Sequence, residues 1–136
     1  MSSDGRLVVI SGASGSGKTT ICKRLLDAPA VVWSVSVTTR PQREGETEGK
    51  HYRFVDEDTF LSMVEDEAFL EHAVVHGYRY GTPRGPVEEM TALGLTVLLE
   101  IDVQGADLLR ERGVEATYLF IAPPDGEELR RRLEGR

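Results

Sequence analysis

The chain has 136 residues, 40% hydrophobic and 29% charged, enough for one compact domain with its own core, yet no apolar run approaches the roughly 18 residues of a membrane span. A formal net charge of −7 argues against broad binding to nucleic-acid polymer, which needs a basic surface to displace counterions. The single cysteine excludes an internal disulfide framework, and the polar start Met1-Ser2-Ser3-Asp4-Gly5 lacks a signal peptide's apolar core, so the chain reads as cytoplasmic.

In chain order, Leu7-Val8-Val9-Ile10 is a β-branched apolar run expected as a buried strand. Gly12-Ala13-Ser14-Gly15-Ser16-Gly17-Lys18-Thr19 follows and fits G-x-x-x-x-G-K-[ST], the phosphate-binding loop. The helix expected next carries Ile21, Leu25 and Leu26 at helical spacing. Strand, glycine loop and helix together turn a loose pattern into a credible site. Glycines let successive backbone N–H groups aim at one point, and the helix adds its positive end. Lys18 supplies a charge for the outer phosphates, and the Thr19 hydroxyl suits Mg²⁺, a hard cation that prefers oxygen. This implies a nucleoside triphosphate. Cys22, inside the first helix, reads as a small buried side chain.

Val31 to Val37 is strand-like, and Thr38 to Glu46 is a polar loop with Arg40 and Arg43. Tyr52, Phe54 and Val55 predict a strand, and Asp56-Glu57-Asp58 ahead of Phe60, Leu61, Met63 and Val64 predicts a capped helix. Phe69 to Val75 is expected to be extended, His76 to Gly81 a hairpin region, and a helix to start near Pro86 and stop at Gly94. Thr96 to Asp102 predicts a second buried strand, Gln104 to Arg112 a helix, and Thr117 to Ile121 a third buried strand. A last helix is expected from Asp125 to Leu133. Apolar strands alternating with helices imply a parallel sheet covered on both faces. The polar, aromatic stretch 34–82 interrupts that rhythm and reads as an inserted lobe, the natural place for a second ligand. Glu100 and Asp102 close an apolar strand; beside a phosphate loop such a carboxylate orders Mg²⁺, often through water, or binds substrate, while at a bare strand end it would be merely solvated. No metal-ligand spacing links His51, His72 and His76.

Several segments together resemble guanylate kinase, a P-loop nucleoside monophosphate kinase family: Gly12 to Thr19; Ser34 to Arg43 with Gly45-Glu46; Gly49-Lys50-His51-Tyr52; Phe69-Leu70-Glu71; Tyr80-Gly81-Thr82; Glu100 to Gly105; Ala122-Pro123-Pro124; and Arg132 to Arg136. The likeness runs the whole chain in family order. It implies a single domain over 1–136 with the P-loop three-layer α/β fold, a parallel sheet core and a mixed α/β lobe for GMP over 34–82. ATP would lie on Gly12, Ala13, Ser14, Gly15, Ser16, Gly17, Lys18, Thr19 and Thr20. The GMP phosphate would meet Arg40, Arg43, Tyr52 and Tyr80, and its base Ser36, Glu71, Thr82 and Asp102. Glu71 suits guanine, which offers N–H donors that adenine lacks. Lys18, Arg40, Arg43, Arg132 and Arg136 would neutralise charge during transfer, with Mg²⁺ held by Thr19 and Asp102. The implied reaction is ATP-dependent phosphorylation of GMP, and of dGMP, in purine metabolism.

The family continues past the equivalent of Arg136 with a lid carrying another arginine, a long helix, a further strand and a last helix. The resemblance therefore implies a C-terminally short form, impaired in turnover, whose strand Thr117–Ile121 lacks an outer neighbour. Two other readings remain: a non-catalytic guanylate kinase-like module that binds GMP or a protein, and a phosphate-loop kinase with a different acceptor.

Overall fold

The computed structural model describes residues 5–12 and 17–122. They fall in two compact units, Met1–Trp33 with Met90–Arg136, and Ser34–Glu89.

The first unit is built on a four-stranded sheet of β1 (Arg6–Gly12), β2 (Val31–Trp33), β7 (Thr96–Glu100) and β8 (Thr117–Ile121), in the order β2-β7-β1-β8. Every pairing is parallel. The two central strands carry near-continuous apolar runs because both their faces are covered: Val9, Ile10, Val97, Leu98 and Leu99 are buried. The chain leaves β1 through α1 (Lys18–Leu25) toward β2, and leaves β7 through α4 (Val103–Glu111) toward β8 on the other side of the sheet. Right-handed crossovers running in opposite directions put the two helices on opposite faces. Cys22 of α1 packs with Ile10 and Leu98, ringed by Val8, Ile21, Val31 and Trp33. Ala106 and Leu109 are the buried residues of α4 together with Gly105, and α4 packs on β1. The result is the expected three-layer arrangement around a parallel sheet.

The second unit holds β3 (Ser36–Thr38), β4 (Tyr52–Phe54), β5 (Phe69–Val75), β6 (Tyr78–Pro83) and α2 (Glu57–Glu65), followed by the start of α3 (Arg84–Ala92). Its sheet is mixed, ordered β4-β3-β6-β5, with β3 parallel to β4 and antiparallel to β6. Side chains of paired residues share a face, so this sheet has two different surfaces. Val37 and Phe69 pack with Phe60 of α2, and the Phe60 and Phe69 rings stack at 4.6 Å. A Cβ at Gly81 would come within 2.7 Å of the Phe69 ring, which is why that register position carries no side chain. The capped helix is as expected: the Asp56 carboxylate accepts from Thr59 N at 2.7 Å.

Four expectations change. Val31 to Val37 is not one strand: β2 pairs with β7 in the first unit, β3 with β4 and β6 in the second, and the break falls at Ser34-Val35. Strand β7 ends at Glu100, and Asp102 leaves the sheet to cap α4, accepting from Gly105 N at 2.8 Å. Strand β8 forms, but is not buried: it lies at the sheet edge and Phe120 is 58% exposed, because only β1 flanks it among the described residues. The third helix begins at Arg84, ahead of Pro86; a proline in the first turn removes an N–H that has no helical partner there. The helix expected from Asp125 lies outside the described residues. No helix among the described residues is long and apolar enough to cross a membrane.

Candidate functional site

The first unit gathers its polar groups at the carboxyl ends of β1 and β7. The register pairs Ile10 with Glu100, and Ile101 N donates to Ile10 O at 3.1 Å. Gly12 ends β1, and Asp102 stands just past the end of the neighbouring strand. Between strands that wind in opposite directions, this end of an open α/β sheet is where ligands collect. Gly17, left-handed at φ 96°, precedes α1, which begins at Lys18 with Thr19 and Thr20 in its first turn. That helix has no side-chain cap and no acidic residue in its first turn, so its positive end stays available to an anion. Ala13, Ser14, Gly15 and Ser16 lie outside the described residues, as do Arg132 and Arg136.

Cys22, one turn into α1, is buried and free of disulfide. Burial pushes its thiol up to about 11, with Glu100 adding and Lys18 opposing. A thiol held protonated is a poor nucleophile, consistent with a packing role.

In the second unit, Ser36 pairs with Tyr52, Thr38 with Tyr80, and Thr82 with Glu71. These pairs share the face opposite Val37 and Phe69. Arg40 follows β3 onto this face and is almost fully buried. Its guanidinium lies 5.1 Å over the Tyr52 ring, and its Nε donates to Tyr80 Oη at 3.2 Å. The Tyr52 and Tyr80 rings meet edge to face at 6.0 Å. Burial raises the Tyr52 hydroxyl's pKa above its ordinary value, with Tyr80 adding, so Tyr52 stays a neutral donor. At the far side of the face, the Thr82 hydroxyl donates to Glu71 Oε1 at 2.8 Å, and both residues are buried. Threonine thus fixes one carboxylate oxygen and the plane of the group.

Arg40, Tyr52 and Tyr80 are in contact, and Glu71 and Thr82 are in contact. Ser36 sits on the same face. Arg43 lies in the following loop, exposed. Asp102 belongs to the first unit, just past the end of β7, which pairs with β1.

Reading the residues alone misses Glu46. Its carboxylate takes Arg40 Nη1 at 2.9 Å and Nη2 at 2.8 Å. That fork, with Arg43 N, holds Glu46 down at about 2, and Glu46 in turn raises Arg40 above its already high value. Its signals were the Gly45-Glu46 pair within the family likeness, which gave it no role, and an acidic residue six positions after an arginine, in a loop without periodicity. Two of the three histidines have ordinary partners: Thr47 N donates to His51 Nδ1 at 2.9 Å, and His72 rests against the Phe60 and Phe69 rings.

Residues 4–136 match the family model described as Guanylate kinase. The chain belongs to the guanylate kinase family. It is 54% identical over 134 residues to the guanylate kinase of Sphingopyxis alaskensis, covering 97% of this chain and 61% of that protein. With the guanylate kinase of Prochlorococcus marinus it shares 48% over 134 residues, covering 98% of this chain and 71% of the relative. The crystal structure of guanylate kinase from Anaplasma phagocytophilum superposes with a TM-score of 0.76 at 43% identity, over 96% of this chain and 68% of that one. The chain therefore spans about two thirds of the length of the relatives it matches. Family membership accounts for the pairing of a phosphate loop with a second, mixed-sheet unit in one chain.

Proposed function

We propose that this chain carries the nucleotide sites of a guanylate kinase that transfers the γ-phosphoryl group of ATP to GMP, and to dGMP, in the cytoplasm. The observation that carries the reading is the polar face of the second unit. There one arginine lies over a tyrosine ring and is bonded to a second tyrosine, and the same face carries a carboxylate held by a threonine. A phosphomonoester needs cationic and hydroxyl donors, and guanine's N1–H and N2–H need a buried acceptor. This face offers both at once.

The acceptor phosphate is already a nucleophile. One of its oxygens forms the new bond to the γ-phosphorus while the bond to the β,γ-bridging oxygen breaks, giving GDP and ADP. Little proton chemistry is asked of the protein, so positioning and charge neutralisation supply the rate. In this reading the loop Gly12 to Thr19 and the start of α1 hold the ATP phosphates, and Lys18 balances charge on the leaving oxygens. Arg40, Arg43, Tyr52 and Tyr80 hold the GMP phosphate, while Glu71, with Thr82 and Ser36, accepts from the base. Arg132 and Arg136 would add cations on the donor side.

No group of three or more His, Cys, Asp or Glu side chains among the described residues could hold a metal alone. Mg²⁺ keeps few protein ligands and binds largely through phosphate oxygens and water. Thr19 and Asp102, oxygen donors following the carboxyl ends of β1 and β7, fit that habit, and Asp102 has one carboxylate oxygen beyond the one that caps α4. The ion would neutralise phosphate charge when bound.

A coupled assay of ADP release with GMP, dGMP, AMP and UMP tests the proposal. Turnover with GMP and dGMP is expected; turnover with AMP or UMP and none with GMP would overturn it. A second reading, a module that binds GMP or a phosphorylated partner without catalysis, draws support from the phosphate and base contacts lying within Ser34–Glu89 apart from Asp102. Calorimetry separates the two, since GMP binding with no binding of an ATP analogue favours the module.

A further inference from the structure

Glu46 sits at the centre of the arginine cluster. Its carboxylate receives Arg40 Nη1 at 2.9 Å, Arg40 Nη2 at 2.8 Å and Arg43 N at 2.8 Å. Its own N–H donates to Arg43 O at 3.0 Å, closing a turn that requires Gly45 at φ 85°. Gln42 Nε2 donates to Glu46 O at 2.7 Å. The carboxylate is therefore anchored through the backbone of the very loop it braces.

The two arginines end up in different states. Arg40 has five N–H donors. Nε is given to Tyr80 at 3.2 Å, and Nη1 to Pro41 O at 3.0 Å and to Glu46. Nη2 gives one N–H to Glu46, leaving a single N–H, on which the Tyr52 hydroxyl also draws. The Arg43 guanidinium is exposed and makes no hydrogen bond or ion pair among the described residues; Glu46 feels its charge, but only its backbone is held. An arginine with its fork free takes phosphate through two parallel bonds, and here Arg43 alone has that fork.

We infer that Glu46 is a positioning residue for the phosphomonoester. It pins the Arg40 guanidinium on Tyr52 with a single N–H left to give, and it fixes the Arg43 backbone so that Arg43 provides the bidentate grip. The inference rests on the second unit being the acceptor site. It commits to Glu46 staying in place when phosphate binds, against the alternative that the carboxylate is a stand-in anion that phosphate expels. The anchoring of Glu46 by its own turn favours the first. So does the pairing that keeps Glu46 ionised down to about 2, since a carboxylate so strongly held is hard to displace.

The test is calorimetry of the full chain with GMP and with guanosine, which lacks the phosphate. Glu46→Gln keeps the shape but cannot accept both Nη donors. GMP affinity is expected to fall about tenfold, the scale of one charge-assisted hydrogen bond, while guanosine affinity is unchanged. In an Arg40→Ala background the same substitution should cost less than in the wild type, the remaining loss being the part that reaches phosphate through the Arg43 backbone. If Glu46→Gln does not fold, Glu46→Asp, one methylene short of both Nη atoms, is measured with the same expected loss. GMP binding that is unchanged or tighter would overturn the inference and make Glu46 a competitor of phosphate. Equal losses for GMP and guanosine would overturn it in favour of a purely structural role. A wild-type chain that binds GMP no better than guanosine would sink the acceptor-site reading, and this inference with it; a wild type that prefers GMP, with an indifferent variant, sinks the inference alone.

Discussion

The two sheets solve opposite problems. In the first unit both faces of the sheet are covered, so β1 and β7 can offer a ligand nothing but their ends. What stands there is backbone and short side chains: Gly12, the start of α1 at Lys18, and Asp102. In the second unit only one face is apolar, that of Val37, Phe60 and Phe69. The other is free to carry Ser36, Tyr52, Tyr80, Thr82 and Glu71, with Arg40 folded over it. Backbone N–H groups at a strand end suit an anion of any nucleotide, since they read charge and not identity. Side chains across a sheet face can tell one base from another. The unit with the better core is thus suited to the generic ligand, and the unit with the thinner core to the specific one.

The sharpest way to break this division is to attack the one apolar face of the second unit. Phe60→Ala should cost about 3–5 kcal/mol, the usual range for a buried phenylalanine, read as a fall in the midpoint of thermal or denaturant unfolding. It should weaken GMP binding as well, because Val37 and the polar face share strand β3. A loss below about 1 kcal/mol would mean that the polar face is held up by something other than this cluster.

Next comes the claim that the face reads the base. Glu71→Gln keeps Oε1 for the Thr82 hydroxyl but replaces the other acceptor with a donor. Preference for GMP over AMP should fall by roughly 1.5–3 kcal/mol, one hydrogen bond to a charged group, measured as the ratio of dissociation constants. An unchanged ratio removes Glu71 from base recognition.

At the strand end of the first unit, Asp102 has a structural duty that its candidate role does not need. Asp102→Ala should destabilise by about 1 kcal/mol through the lost cap. Asn caps as well as Asp, so Asp102→Asn should leave the unfolding midpoint in place. A drop in Mg²⁺-dependent turnover in Asp102→Asn would then report the charge alone, and full turnover would remove Asp102 from the metal's surroundings.

The smallest effect is a pH dependence. Glu46 falls from 4.5 to about 2 on folding, chiefly through the Arg40 fork. A depressed carboxylate contributes stability that is fully present above its unfolded value and lost as pH falls through the folded one. The Arg40–Glu46 pair should therefore weaken the fold progressively between pH 4.5 and about 2, seen as an acid limb that Glu46→Gln flattens. Solvent at the carboxylate keeps the amplitude small. Identical acid limbs for both proteins would mean the pair forms only weakly in solution.

How much of this was legible beforehand follows from the range of the interactions. Leu7 to Ile10 and Thr96 to Leu99 announced themselves because a strand buried on both faces must be apolar throughout. The Asp56 cap was visible because donor and acceptor are three residues apart. Val31 to Val37 looked like one strand because nothing in that run says that its halves pair with different partners. Thr117 to Ile121 looked buried because its apolar letters do not say where in the sheet it lies; the missing outer neighbour was implied only by the family likeness. Arg40, Tyr52, Glu71, Tyr80 and Thr82 were collected by family likeness; their own spacing, spread over three strands and a loop, carried no period.

By itself the sequence determined what is local: the strand and helix that flank the phosphate-loop motif, the central parallel strands, the Asp56 cap and the class of the fold, all governed by groups within a few residues of one another. Tertiary structure alone decided which face of the mixed sheet stayed polar, that Thr82 would lock Glu71, and that Glu46 would take the Arg40 fork. Those outcomes depend on pairings between strands far apart in the chain and on burial, which sharpens each hydrogen bond and charge pair, and neither is encoded in the order of neighbours.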